Sequence, residues 1–333
     1  TAGLFSNLTN VTSIDLSNMD TSGMTSMTNM FSGNTSLTNI TFGDNFNTSN
    51  VTSMASMFGS CSNLKTLDLS MFDTSNVGGM NSMFYGCSSL TNLDLSNFDT
   101  SKLENTVHMF NGCSSLTTLN LSGFNTSNVT IAWHMFNGCK SLTSLDVSSF
   151  DTSKMTSMSN MFLGCSSLTS LDVSGFDTSN VTNMDFMFKS CQNLVNIDVS
   201  NFDTSKVTSM MGMFADCLSL TSLDLSNFNT SNVIKMGIGW SNGGMFENCR
   251  SLISLDLSSF DTSKVTDMTN MFRYTDNLKT IYVSDLWNVS SVTSSDNMFT
   301  GCTSLKGIVP FDSSKTDVSM ANYTNGYLTY KKR

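Results

Sequence analysis

The chain repeats one phrase of about 26 residues almost from end to end, and no other feature limits its fold so tightly. The phrase reads Met-Phe-x-Gly-Cys-Ser-Ser-Leu-Thr-Ser-Leu-Asp-Leu-Ser-x-Phe-Asp-Thr-Ser-Asn-Val-Thr-x-Met-x-x. Its Met-Phe opening recurs at residues 30, 57, 83, 109, 135, 161, 187, 213, 245, 271 and 298, and Leu4-Phe5 is a worn copy, giving twelve units. A fixed period of roughly 20–50 residues predicts a solenoid, because one short unit cannot bury its apolar face alone and must stack on its neighbours. Length alone, 333 residues, suggests two domains. The repeat predicts one right-handed solenoid over residues 1–310, with 311–333 as a C-terminal cap and tail.

Numbering each unit from its Met, the apolar positions are 1, 2, 5, 8, 11, 13, 16, 21 and 24. In the third unit they are Met57, Phe58, Cys61, Leu64, Leu67, Leu69, Phe72, Val77 and Met80. The segment Leu-x-x-Leu-Asp-Leu-Ser, positions 8–14, alternates with period two at its centre and predicts a short strand, stacked on its neighbours into a parallel sheet. From position 21 to the next Met-Phe the apolar residues fall every third place, which predicts short 3-10 or helical turns, or extended segments, on the opposite side. Of 24 Phe, all but Phe42, Phe186 and Phe311 fall at positions 2 and 16, so the Phe and Met stripes read as core spines. Nine cysteines all stand at position 5, from Cys61 to Cys302. No C-x-x-C pair suits a metal, and Leu8, Asn34 and Thr275 fill the same position, so they read as a buried thiol ladder rather than bridges or ligands.

Strands carrying Leu-x-x-Leu-x-Leu, as in Leu90 to Leu95, and turns of the form Phe-x-Gly-Cys resemble the leucine-rich repeats of BspA-like bacterial surface proteins. The wording Phe-Asp-Thr-Ser-Asn-Val-Thr-x-Met is similar to the 26-residue-repeat subfamily in surface proteins and lipoproteins of lactic acid bacteria, Listeria and mycoplasmas. The resemblance covers about residues 4–310, and Gly326-Tyr327-Leu328-Thr329-Tyr330-Lys331 is similar to that family's ending. It implies an extracellular, cell-surface setting and adhesion to a protein or glycan on a host or neighbouring cell. It supplies no catalytic residues to carry over.

The chain is acidic, with net charge −10 and pI near 4.4. Nothing resembles a basic stripe, so nucleic acid is not an expected partner. No apolar run reaches the roughly 18 residues of a membrane span, and no signal peptide opens the sequence. The start in mid-repeat and the closing Lys-Lys-Arg lead us to expect an excised or processed fragment, its anchor outside this chain. No nucleophile–base pair, phosphate loop or metal cluster is present, so neither an enzyme nor a cofactor is expected.

Candidate contact residues come from departures and ladders. Position 12 faces outward on the strand and holds Asp15, Asp68, Asp94, Asp146, Asp172, Asp198, Asp224 and Asp256, interrupted by Asn120. It reads either as an acidic strip for cations or a basic partner, or as a solvated strip that keeps the sheet soluble. Position 17 carries Asp before Thr-Ser, a turn or cap role. Position 20 alternates Asn76, Lys102, Asn128, Lys154, Asn180, Lys206, Asn232 and Lys264, each Lys with an Asp at position 17 of its own unit. His108 and His134 share position 26 of adjacent units and are weak metal candidates. The unit from Met213 has six extra residues within 237–244, a glycine-rich stretch carrying Trp240. Trp240, and secondarily Trp133, are candidate aromatic anchors. Alternatives to adhesion are a stalk or spacer and, on rows of Thr at positions 18 and 22 such as Thr178 and Thr182, an ice- or crystal-binding face.

Overall fold

The computed structural model describes residues 2–239 and 243–333. Two compact units make up the chain, residues 1–155 with 164–168, and residues 156–163 with 169–333. Each is a parallel β-solenoid. Among the described residues the one helical element is a 3-10 turn, Val318–Met320, and no helix is long and apolar enough to cross a membrane.

The centre of the expected segment, positions 10–13, forms strands in several coils, and one more forms in the closing tail. In the first unit β1 (Ser13–Leu16) pairs in parallel with β2 (Asn39–Phe42), and β3 (Asn92–Asp94) with β4 (Thr118–Asn120). In the second, β5 (Ser254–Asp256), β6 (Thr280–Val283) and β7 (Thr329–Tyr330) form one parallel sheet. Elsewhere the segment keeps its inward–outward alternation, as in buried Leu171, exposed Asp172 and buried Val173, without a regular ladder. The sheet is therefore intermittent. The position-12 side chain ends the segment in laddered and unladdered coils alike, its Oδ1 accepting the N–H of the serine two residues on, as Asp94 does from Ser96 and Asp68 from Ser70, both at 3.0 Å. That Asx turn bends the backbone away just where a strand would lengthen.

The continuous inter-coil bonding runs instead along the side expected to hold 3-10 turns. Position 23 forms a parallel bridge from coil to coil, Ser26 to Ser53 to Gly79 to Asn105 to Ile131 in the first unit and Ser157 to Asn183 to Ser209 to Lys235 to Asp267 to Ser294 in the second. Beyond it, alternate N–H groups point to the next coil. Met54 N–H reaches Gly79 O, Ser56 reaches Asn81, Phe58 reaches Met83 and Ser60 reaches Tyr85, at 2.5–2.9 Å. The residues between them close three-residue turns within the coil, Met57 to Met54, Gly59 to Ser56 and Cys61 to Phe58. Residues at positions 26 and 4 adopt left-handed φ, such as Ser56 at 53°, Ser60 at 62° and Gly112 at 79°, which reverses the handedness at each turn and prevents a helix from propagating.

Inside, Phe at position 2 stacks coil on coil, with centroids 5.5–5.8 Å apart from Phe5 to Phe136 in the first unit. In the second it runs from Phe162 to Phe299, where the buried Tyr327 ring closes it edge-on at 5.3 Å. The nine cysteines are buried free thiols. Each thiol donates to the position-2 carbonyl of the preceding coil, as Cys61 to Phe31 at 3.2 Å and Cys302 to Phe272 at 3.0 Å. Asn34 does the same with its amide, to Phe5 O at 2.8 Å, so sulfur itself is not required there. Burial pushes the Cys61 thiol up to about 12.

Threonines at position 18 are buried, which corrects their assignment to an exposed row. Thr178 is 1% exposed and donates to Asp203 O at 2.9 Å in the next coil. Of these two rows only position 22, with Thr182, stays on the surface, so among the described residues the two rows do not make a paired threonine face.

Candidate functional site

The position-12 side chains stand outward from the strand segments. Asp68, Asp94 and Asp146 are exposed in the first unit, and Asp172, Asp198 and Asp224 in the second. Asp68 and Asp94 line one shallow groove of about 200 Å³ with Ser70, Ser96 and Asn97. Asp198 and Asp224 line another of about 370 Å³ with Asn196, Ser200 and Ser222. The same Asx turn that ends each strand fixes the carboxylate. The Ser96 backbone N–H and then its hydroxyl hold Asp94 below the usual carboxylate range, and at Asp198 and Asp224 the serine hydroxyl leads. Repulsion from Asp172 partly offsets the effect at Asp198. At neutral pH each groove thus presents two ionised carboxylates, one oxygen of each tied to its own turn. Asp256 differs, because Lys331 of the closing tail forms an ion pair with its Oδ2.

Trp133 is 45% exposed and lies on the turn segment, away from the acidic strip. Trp240 falls outside the described residues. His108 and His134 stand side by side as the repeat spacing implies, rings stacked 4.7 Å apart at 23°. Their Nδ1 atoms bond the amides of Asn111 at 2.7 Å and Asn137 at 3.0 Å. Burial lowers both pKa values, and at His134 the neighbouring imidazole adds to it. Stacked rings hold their nitrogens parallel rather than converging, and among the described residues no group of three or more His, Cys, Asp or Glu stands ready for a metal.

Several polar contacts escaped the sequence reading. Lysines at position 20 do not close an ion pair with the aspartate of their own unit. Lys102 Nζ donates to Asn76 Oδ1 at 2.6 Å and Lys206 to Asn180 at 2.8 Å, while the Asn76 amide donates to Ser49 O in the coil before it at 2.8 Å. The Lys–Asn alternation is a relay across coils. Beside the insertion, the buried Glu247 accepts Gly244 N–H at 3.2 Å and pairs with Arg273 at 3.4 Å. This role was invisible in the sequence because position 3 elsewhere holds unrelated residues such as Tyr85 and Leu163.

These coils, with leucine-rich strands, a Phe spine and a thiol ladder, define a leucine-rich-repeat solenoid. The chain belongs to the family described as "Mycoplasma protein of unknown function, DUF285", which matches residues 1–119, 89–174, 156–243 and 240–327. No curated protein matches it. Among solved structures it is similar to a leucine rich cell surface protein from Faecalibacterium prausnitzii, at 21% identity and TM-score 0.48 over 92% of this chain and 79% of that one. It is also similar to a leucine-rich repeat protein from Bacteroides ovatus, at 19% identity and TM-score 0.44 over 100% and 87%. A third, the functional domain of InlJ from Listeria monocytogenes, described as including a cysteine ladder, gives 18% identity and TM-score 0.27 over 96% and 62%.

Proposed function

We propose that this chain is a binding module on a bacterial cell surface, holding a protein or glycan of a host or neighbouring cell. The acidic grooves at Asp68/Asp94 and Asp198/Asp224 carry this reading. Each offers fixed, ionised carboxylates beside serine and asparagine side chains, a surface that favours cationic groups and polar hydrogen-bonding partners. Repetition of a weak site along a solenoid adds avidity to contacts that are individually modest. Catalysis is no part of this reading.

The test is binding of the chain to immobilised matrix proteins, mucins and glycans by surface plasmon resonance, at two salt concentrations and with and without chelator. Saturable binding to one class, weakened by salt and by Asp94→Asn with Asp224→Asn, is the expected result. Asparagine is the informative replacement, because Asn120 forms the same turn to Ser122 N–H at 3.1 Å, so charge is removed and the turn is kept. Binding to no class, or binding indifferent to both substitutions, overturns the reading. Loss with chelator would assign bridging cations to the strip.

The stalk reading keeps one specific support, the use of surface lysines, asparagines and serines in bonds between coils. A stalk would lose function with repeat number and ignore the aspartate substitutions.

A further inference from the structure

On the turn face of the first unit the repeat changes size. Position 3 is small at Ser32 and Gly59, then large at Tyr85 and Asn111, and position 26 steps from Ser56 and Ser82 to His108. The step leaves an open groove of about 360 Å³, walled at one end by Tyr85, His108 and Asn111. Gly59 forms part of its lining, where a Cβ would already stand 3.3 Å from Ser56 O and 3.4 Å from Ser32 Oγ. Tyr85 is 43% exposed and meets the His108 ring edge-on at 6.0 Å.

We propose that this groove is a binding site for a neutral saccharide. The proposal rests on the reading of the chain as a binding module and names a ligand class for it. Four lining hydroxyls, those of Ser32, Ser56, Ser60 and Ser82, make no hydrogen bond among the described residues, whereas serines at positions 6 and 19 do, as Ser62 to Thr35 O and Ser153 to Asp151. Hydroxyls that both donate and accept match the hydroxyls of a sugar. No Asp, Glu, Lys or Arg lines the groove, so nothing in it selects an ionic ligand. His108 is held neutral by burial, and with the Asn111 amide donating to Nδ1 its proton sits on Nε2 as one further donor. The exposed Tyr85 ring supplies the flat apolar surface on which the C–H face of a pyranose packs. The volume lies within the range of small-ligand sites, and the open end admits a longer chain.

Calorimetric titration of the intact chain with lactose, cellobiose and N,N′-diacetylchitobiose tests this, with Tyr85→Ala and Ser56→Phe as variants. Ser56→Phe fills the groove at a backbone position where Phe186 is native with φ of 57°, and thermal unfolding checks that both variants fold. The expected result is saturable binding of at least one disaccharide, reduced about tenfold or more by each variant and unchanged by Val195→Ala at an exposed site in the second unit. No saturable binding of any of the three, or binding that survives both variants, overturns the proposal. Running the mucin and matrix panel on the same variants separates the two readings. Panel binding lost in Asp94→Asn with no disaccharide binding would leave the acidic strip standing and the groove refuted. Disaccharide binding lost in Tyr85→Ala without any panel binding would do the reverse.

Discussion

Thr100 shows how a single side chain locks two coils. It is 1% exposed, its Oγ1 donates to Asn125 O at 3.0 Å, and it accepts Asn125 N–H at 2.7 Å. Valine has the same shape but leaves a buried N–H and a carbonyl unpaired. Thr100→Val should therefore lower stability by about 2–4 kcal/mol, read from the urea midpoint. Thr182→Val, at the exposed position 22, should change it by less than about 0.5 kcal/mol. Equal effects at the two sites would contradict the role given to position 18. The thiols follow a similar logic with different chemistry. Burial pushes Cys61, Cys113, Cys165 and Cys302 up to about 12, so almost no thiolate exists at pH 8. Ellman's reagent should label none of the nine in the folded chain and all nine in denaturant. Fast labelling of any one without denaturant would show that its coil opens locally.

Among elements, the strand was legible from sequence because a period of two has one structural meaning at positions 10–13. The turn segment was half legible. Apolar spacing of three correctly signals bonds between residues three apart, but not the left-handed residues that stop those bonds from building a helix. Position 4 hints at them, with Gly86, Gly112, Gly138 and Gly164, whereas position 26 hides them behind His108, Asn160 and Phe186. Asp at position 12 was legible as outward-facing, yet its Asx turn was obscured by a Ser that belongs to the apparent strand. The hydrogen-bond partner of Lys102 was not legible, because Asn76 becomes its neighbour only once coil register is known. The insertion depends on a feature no repeat predicts. Met245 N–H to Met236 O at 2.8 Å closes its base, and a Cβ on Gly237 or Gly244 would overlap the carbonyls of Thr269 and Asn270. Glu247 holds the far end of that base while paired with a partly exposed Arg273. Glu247→Ala should lower stability by about 1–3 kcal/mol, discounted from a fully buried pair for the solvent near Arg273, and speed hydrogen exchange at Gly244. An unchanged midpoint with unchanged exchange would assign the insertion's closure to backbone bonds alone.

For the molecule as a whole, the titratable groups give the two compact units different responses to acid. Asx-turn aspartates occur in both, for example Asp68, Asp73, Asp94 and Asp99 in the first and Asp172, Asp198, Asp203 and Asp224 in the second, all with lowered pKa values. A carboxyl whose folded pKa is depressed contributes stability above its unfolded value, near 4, and loses it as pH falls through the folded value. Both units should therefore weaken below about pH 4. The first unit also holds His108 and His134, whose pKa values are lowered, so the unfolded chain takes up protons first and stability falls as pH drops below about 6.5. The second holds Asp185 and Glu247, buried carboxyls whose pKa values burial raises. Their folded forms bind protons first, so acidification from neutral toward pH about 4 stabilises that unit. Hydrogen exchange followed by mass spectrometry at a series of pH values, corrected for intrinsic exchange, should show protection of the first unit declining from about pH 6.5 while the second holds or gains until about pH 4. His108→Asn with His134→Asn should flatten the first unit's decline above pH 5 or so, since Asn already occupies position 26 at Asn160 and keeps the left-handed backbone. Parallel loss in both units, untouched by those substitutions, would place acid sensitivity in the aspartate turns alone.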